Sequence, residues 1–303
     1  MPPLVRALRR ALPLVLVLLG ACRPDAPADA PLVDDLGRTL ALEGPAARVV
    51  TLAPGLADLV TLAAGADRLA GVSQADSLPS GLETLPRLPS HPPDVQRLVA
   101  LAPDLVLAAE QANRPEAVGR LAEFGIPSYF FSLRTLDDVP RALRTLDRLL
   151  GAAGGAPAAA QFELRQAEVA RIVAGAERPR VLLLAGTGDA LRAFGRDAYQ
   201  SDLVRAAGGL NLTDAFEGLE VRLSEAFALE QAPDVIVVLA PEGYDRRRLT
   251  DAHPAWLDTP AVREGRVYAL APDLVARPGP RLAEALERLA RLLHPGLFAA
   301  GAA

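Results

Sequence analysis

The chain of 303 residues carries a formal net charge of −5, half of its residues are hydrophobic and only 4% are aromatic. Such a composition is globular, and a dispersed acidic balance with no long basic run excludes a nucleic-acid binder. A lone cysteine excludes an intramolecular disulfide, so burial of a core must hold the fold together.

The first predicted element is an export signal. Arg6, Arg9 and Arg10 form a basic region, an apolar run follows from Ala11 to Leu19, and LGAC ends at Cys22. The run is too short for a permanent membrane span. A small-residue cleavage site followed by cysteine resembles the bacterial lipobox, which implies lipidation of Cys22 and a membrane anchor. Loss of the three leader arginines takes the formal charge from −5 to −8. RPDAPADAPL, residues 23–32, reads as a solvated tether with little to bury.

Short apolar runs then alternate with helical patterns. RVVTLA (48–53), LVLAA (105–109) and SYFFS (128–132) read as strands, separated by helices near 56–64, 94–101, 115–124 and 135–150. The second half repeats the scheme, with strands RVLLLAG (180–186), VIVVLA (235–240) and RVYALA (266–271) and helices near 198–207, 223–231 and 281–293. Alternation of this kind predicts an α/β fold with mainly parallel sheets covered on both faces.

Between the halves, Gly154 and Gly155 interrupt one helix, Pro157 suits the first turn of another, and the next stop signals are Gly175 and Pro179. The spacing predicts one long helix over 156–177, which would join two lobes as a strut. A duplicated phrase supports two lobes: LVALAPDLVLA (98–108) and LEQAPDVIVVLA (229–240) each read as a helix end, a Pro-Asp turn and a central strand. The expected organisation is a signal peptide (1–21), a lipid-anchored tether and leader (22–44), an N-terminal lobe (45–155), the inter-lobe helix (156–177), a C-terminal lobe (178–296) and a tail (297–303). Two such units leave a cleft where the carboxyl ends of their strands face each other.

RVVTLAPGLADLVTLAAGADRLAGVS, LVALAPDLVLA, LAEFGIPSYFF, AAGGLNLTDAFEGLEVRLSEAFALEQAPDVIVV, PAVREGRVYAL and RPGPRLAEAL, in this order, resemble the helical-backbone (class III) substrate-binding proteins of ABC importers for cobalamin, haem or ferric siderophores. The resemblance implies two Rossmann-like lobes joined by one backbone helix, and a metal chelate of iron or cobalt held between them. It also implies delivery to an ABC permease and its ATPase in the inner membrane. The receptor is expected to be a monomer with no cofactor of its own, exported to the periplasm or the outer face of the cytoplasmic membrane.

Two other classes stay open, an exported enzyme on a Rossmann-like scaffold and a receptor for a free metal ion. LLLAGTGDALRAFG follows a strand with Gly186 and Gly188, but Leu191 occupies the third position of a dinucleotide fingerprint, which favours a tight turn. No G-x-S-x-G, phosphate-binding Walker loop or H-E-x-x-H occurs, and His91, His253 and His294 share no metal-ligand spacing. Catalytic residues are therefore expected to be absent.

Site residues follow from the resemblance. The loop GVSQADSLP brings Ser73 and Asp76 to the cleft but places Ala75 and Leu78 where cobalamin-binding relatives carry tyrosines. LPSHPPDVQ offers Ser90 or His91 near a tryptophan position of those relatives. These exchanges remove stacking surface and weigh against cobalamin, and His91 is a candidate axial ligand to iron or cobalt. Arg196 and Tyr199 of FGRDAYQSDLVRAAGG, Arg277 of LVARPGPR, and Phe216 and Leu219 of DAFEGLE are expected from the other lobe. Two arginines would suit carboxylates or a phosphate, which a guanidinium binds bidentately. Trp256 is expected to pack inside. For the permease, the resemblance implies one acidic point per lobe on the helix before Ala-Pro-Asp: Glu225 in the second copy, and Gln96 with Asp94 nearby in the first.

Overall fold

The computed structural model describes residues 32–76, 82–187 and 191–298, so Cys22 and Leu78 lie outside the described residues. The N-terminal lobe is built on β3 (Val49–Thr51), β4 (Leu69–Ser73), β5 (Arg87–Leu88), β6 (Leu105–Ala109) and β7 (Ser128–Phe131), in spatial order β5-β4-β3-β6-β7. Every neighbouring pair is parallel. All residues of β4 and β6 are buried, as unbroken apolar runs must be when helices cover both faces of a sheet. Those helices include α1 (Leu56–Ala64), α2 (Val95–Leu101), α3 (Pro115–Gly119) and α4 (Asp138–Leu150). Ahead of the lobe, β1 (Leu32–Val33) and β2 (Thr39–Leu40) form an antiparallel hairpin. Asp34, buried, accepts from the Arg38 guanidinium at 2.6 Å, and Asp35 meets Arg141 of α4 at 2.6 Å. The leader is thus part of the folded unit from residue 32 onward.

In the C-terminal lobe, β8 (Arg180–Leu184), β12 (Val235–Leu239) and β13 (Val267–Leu270) are parallel. The short β10 (Leu210–Asn211) is parallel to β8, whereas β9 (Arg192–Phe194) and β11 (Glu220–Arg222) are antiparallel additions at the edge. The sheet is thus mainly parallel, as sequence periodicity predicted, with an antiparallel edge that it did not. The chain turns back on itself after β8, with Leu184 opposite Ala193. Three-residue strands carry too little periodicity to be read in advance. Helices α6 (Tyr199–Ala206) and α7 (Glu225–Gln231) follow β9 and β11.

Helix α5 spans Gly155–Val173, 19 residues, hence about 28 Å at 1.5 Å per residue. It packs on α1 and α4 of one lobe and on α6 and the helix Leu282–Leu293 of the other. Gly155 is required at its start, because a Cβ there would lie 2.1 Å from the Leu143 carbonyl oxygen of α4. One hydrophobic cluster runs through both lobes, from Leu56, Leu107 and Phe131 through Phe162 of α5 to Leu203 and Leu286. The fold is two Rossmann-like α/β lobes on one backbone helix.

The duplicated phrase forms a duplicated clasp. In both copies the alanine before Pro-Asp takes a left-handed conformation and closes the helix, Ala102 at φ 43° and Ala232 at φ 41°. The following aspartate then receives the start of the neighbouring strand: Asp104 Oδ2 accepts from the Arg48 amide at 2.8 Å, and Asp234 Oδ2 from the Arg180 amide at 2.7 Å. Each arginine returns a bond to the helix end, Arg48 to the Leu101 carbonyl at 2.7 Å and Arg180 to the Gln231 carbonyl at 2.6 Å.

Candidate functional site

A cavity of about 270 Å3 opens where the two lobes meet. Ala53 and Pro54 after β3, Ala109 and Gln111 at the end of β6, and Leu133 after β7 line it from the N-terminal lobe. Phe194, Tyr199, Gln200, Leu219, Glu220 and the backbone turn around Pro278 line it from the other. Residues just past a strand's carboxyl end are free of ladder bonds and can face a ligand, which is why α/β sheets bind there. Asn113 fixes this end of the N-terminal lobe. Its Oδ1 accepts from the Ala109 amide at 3.0 Å, and its Nδ2 donates to the Leu52 carbonyl at 3.1 Å and the Ser90 carbonyl at 2.8 Å.

Of the residues singled out by sequence, Tyr199 and Leu219 line the cavity. The Tyr199 hydroxyl donates to the Val275 carbonyl at 2.8 Å and is buried, which raises its pKa; the phenol is thus a structural donor. Phe216 stands outside the lining and packs on Phe227, ring centroids 5.5 Å apart. Ser73 is fully buried and shares a hydroxyl hydrogen bond of 3.0 Å with Ser90, so the pair ties two loops together. His91 is exposed and does not line the cavity. Arg196 is also exposed and meets Glu217 at 2.9 Å. Among the described residues no group of three or more His, Cys, Asp or Glu could hold a metal ion.

Asp76 and Arg277 belong to a polar seam between the lobes beside the cavity. Asp76 is 6% exposed, and its Oδ1 accepts from the Gly55 amide at 2.7 Å while its Oδ2 is buried without a partner. Burial pushes the carboxyl up to about 6; the Gly55 hydrogen bond pulls the other way, the nearby Asp58 charge adds to the rise, and Arg277 and Arg87 oppose it. Burial also raises Asp58, against the pull of Arg281 and Arg277. Arg281 Nη2 lies 3.8 Å from Asp58, and buried Arg277 is 3.4 Å from Asp273. At Gly55, where φ is 88°, a Cβ would lie 2.3 Å from the Pro278 carbonyl oxygen, so the two lobes touch backbone to backbone. A further bridge runs from the Leu136 amide to Asp202 Oδ2 at 2.9 Å.

The helices of the duplicated clasps, α2 and α7, each lead back to the start of a central strand, β6 or β12. Asp94 caps α2 by accepting from the Arg97 amide at 3.0 Å, and Gln96 beside it is exposed. Ser224 caps α7, and Glu225 in its first turn lies 2.6 Å from His253 Nδ1. The His253 ring stacks on the fully buried Trp256 at 5.0 Å, and Trp256 Nε1 donates to the Glu225 carbonyl at 3.3 Å.

The lining residues missed by sequence reasoning include the two glutamines, Gln111 and Gln200, together with Leu133, Phe194 and Glu220. Gln111 had a legible signal, as the second of two polar residues, Glu110 and Gln111, that follow an unbroken apolar strand.

Comparison with known proteins agrees with this geometry. The chain is 30% identical over 207 residues to a cobalamin-binding protein of Halobacterium salinarum, covering 64% of this chain and 54% of that one. It is 26% identical over 208 residues to the ABC transporter substrate-binding lipoprotein YvrC of Bacillus subtilis, covering 65% of this chain and 64% of that one. The aligned part is thus less than two thirds of either relative. Among solved structures, the apo periplasmic heme-binding protein RhuT from Roseiflexus sp. RS-1 superposes with a TM-score of 0.71 at 25% identity, covering 82% of this chain and 98% of that one. The family model for periplasmic binding proteins matches residues 49–274, and the chain belongs to that family.

Proposed function

We propose that this protein is the substrate-binding component of an ABC importer, capturing a metal chelate of iron or cobalt between its lobes and passing it to a permease. The observation that carries the reading is the cavity, apolar in most of its lining and formed between the carboxyl ends of the N-terminal strands and, from the other lobe, the β9–β11 edge, the start of α6 and the Pro278 turn. Ligand pockets occur preferentially where two such lobes meet. At about 270 Å3 the cavity would take one edge of a macrocycle and leave its bulk in the open cleft. The names of two relatives, cobalamin-binding and heme-binding, support the same class of ligand, and that of a third, substrate-binding lipoprotein of an ABC transporter, supports the receptor role. The protein acts by binding alone and works as a monomer.

Residues 1–21 are the export signal, Cys22 carries the lipid, and residues 22–44 connect the anchor to lobes 45–155 and 178–296, with the strut expected over 156–177, helical over Gly155–Val173, between them and a tail at 297–303. Glu225 on one lobe and Asp94 with Gln96 on the other face the permease. The test is an absorption spectrum and mass spectrum of protein isolated from its own cells, followed by titration of the stripped protein with cyanocobalamin, haemin and a ferric catecholate. Binding of at least one chelate is expected. Retention of none, with tight binding of a nucleotide or a free metal ion instead, would refute the proposal.

A further inference from the structure

Gln111 lines the cavity two residues past β6, and both its amide atoms, Oε1 and Nε2, are sealed from solvent without a hydrogen-bond partner. A buried polar group in that state is costly to the free protein and is explained when a ligand completes it. From the other lobe Gln200, 7% exposed, lines the same cavity and spends Nε2 on a long 3.3 Å bond to the Val275 carbonyl. No arginine, lysine or histidine is among the described residues of the lining, and its charged side chain is Glu220, which meets Arg192 at 3.3 Å. Arg196 is engaged with Glu217, and Arg277 lies in the seam. A ligand rim of carboxylates would therefore meet an acid already paired with Arg192 and no basic side chain of the lining. A rim of carboxamides would meet two side chains of its own kind, each able to donate and accept.

Resting on the receptor reading above, we propose that Gln111, with Gln200 opposite, selects chelates whose rim carries primary carboxamides over those whose rim carries carboxylates. Selection at the rim does not need the aromatic platforms missing from the Ala75 loop. Leu133, Phe194 and Leu219 offer the apolar contact instead. Sites built to pair a polar group reject an analogue lacking that group more strongly than apolar pockets reject a change of size.

The test uses the full mature chain and three probes: cyanocobalamin, the same corrinoid with its rim amides hydrolysed to carboxylates, and haemin. The native protein is expected to hold cyanocobalamin at least about tenfold tighter than either carboxylate probe, and Gln111→Leu to lose about tenfold in cyanocobalamin affinity. The melting temperature of unliganded Gln111→Leu should stay level or rise, since leucine replaces an orphaned amide; a purely structural glutamine would lower it. Gln111→Glu, which keeps the shape and loses the donors, must show the same loss of cyanocobalamin and serves if the leucine variant does not fold. Unchanged cyanocobalamin affinity in either folded variant overturns the assignment. Equal or tighter binding of the carboxylate probes overturns rim selection while leaving the receptor intact. Binding of no chelate at all overturns both.

Discussion

Replacing Asp76 with asparagine should stabilise the protein at neutral pH. In the folded state the carboxyl is raised from 3.8 to about 6, chiefly because burial disfavours its charge. A raised acid pKa means that the native state holds the proton more tightly than the unfolded chain does. Its favourable contribution is therefore complete below pH 3.8 and is lost as pH rises through about 6. At about 1.4 kcal/mol per pKa unit, the ionised carboxylate costs the fold about 3 kcal/mol at pH 7.5. The carboxamide introduced by Asp76→Asn keeps the acceptor for the Gly55 amide and mimics the neutral acid, so urea denaturation at pH 7.5 should show a gain of about 1 to 3 kcal/mol over the native protein. The gap should close between pH 6 and pH 4, since the native carboxyl protonates over that interval. Asp58 titrates nearby in both proteins, which is why the difference, and not either curve alone, is the measurement. A gain independent of pH, or a loss at pH 7.5, would refute a charged Asp76 buried in the seam.

Gly55→Ala should destabilise by at least about 2 kcal/mol in the same denaturation assay, because the added Cβ meets both a left-handed backbone and the Pro278 carbonyl; a neutral result would mean that the lobes do not touch there. Glu225→Ala should slow uptake in cells or vesicles without changing chelate affinity, whereas weakened binding with normal uptake per bound chelate would put the wrong face against the permease. Cys22→Ser should move the protein from the membrane to the soluble fraction, and unchanged fractionation would exclude the lipid anchor.

The fold was legible because its strongest signals are redundant. β6 and β12 are five-residue apolar runs introduced by the same Ala-Pro-Asp turn, and the breakers around α5 isolate the joining helix. The edge of the C-terminal sheet was not legible, since strands as short as β9 and β11 have no period to read. Site residues were harder for a different reason. Whether Arg196 faces a ligand or Glu217, 21 positions away, depends on side-chain direction, which spacing does not encode. Arg277 was placed near the cleft by resemblance, yet its burial turns it into the seam that carries Asp58 and Asp76. Gln111 and Gln200 were passed over because charge and aromaticity drew attention first.

The two clasps sit at the amino ends of their strands, and in the N-terminal lobe a strand length of roughly 16 Å separates the clasp from Ala109 at the cavity. Each fixes where a central strand begins with one arginine and one aspartate, through backbone atoms that do not depend on neighbouring side chains. The foot of each lobe is thereby insulated from its mouth. Substitutions at Gln111 or Leu133 should therefore reshape the cavity wall without moving the start of β3 or β8.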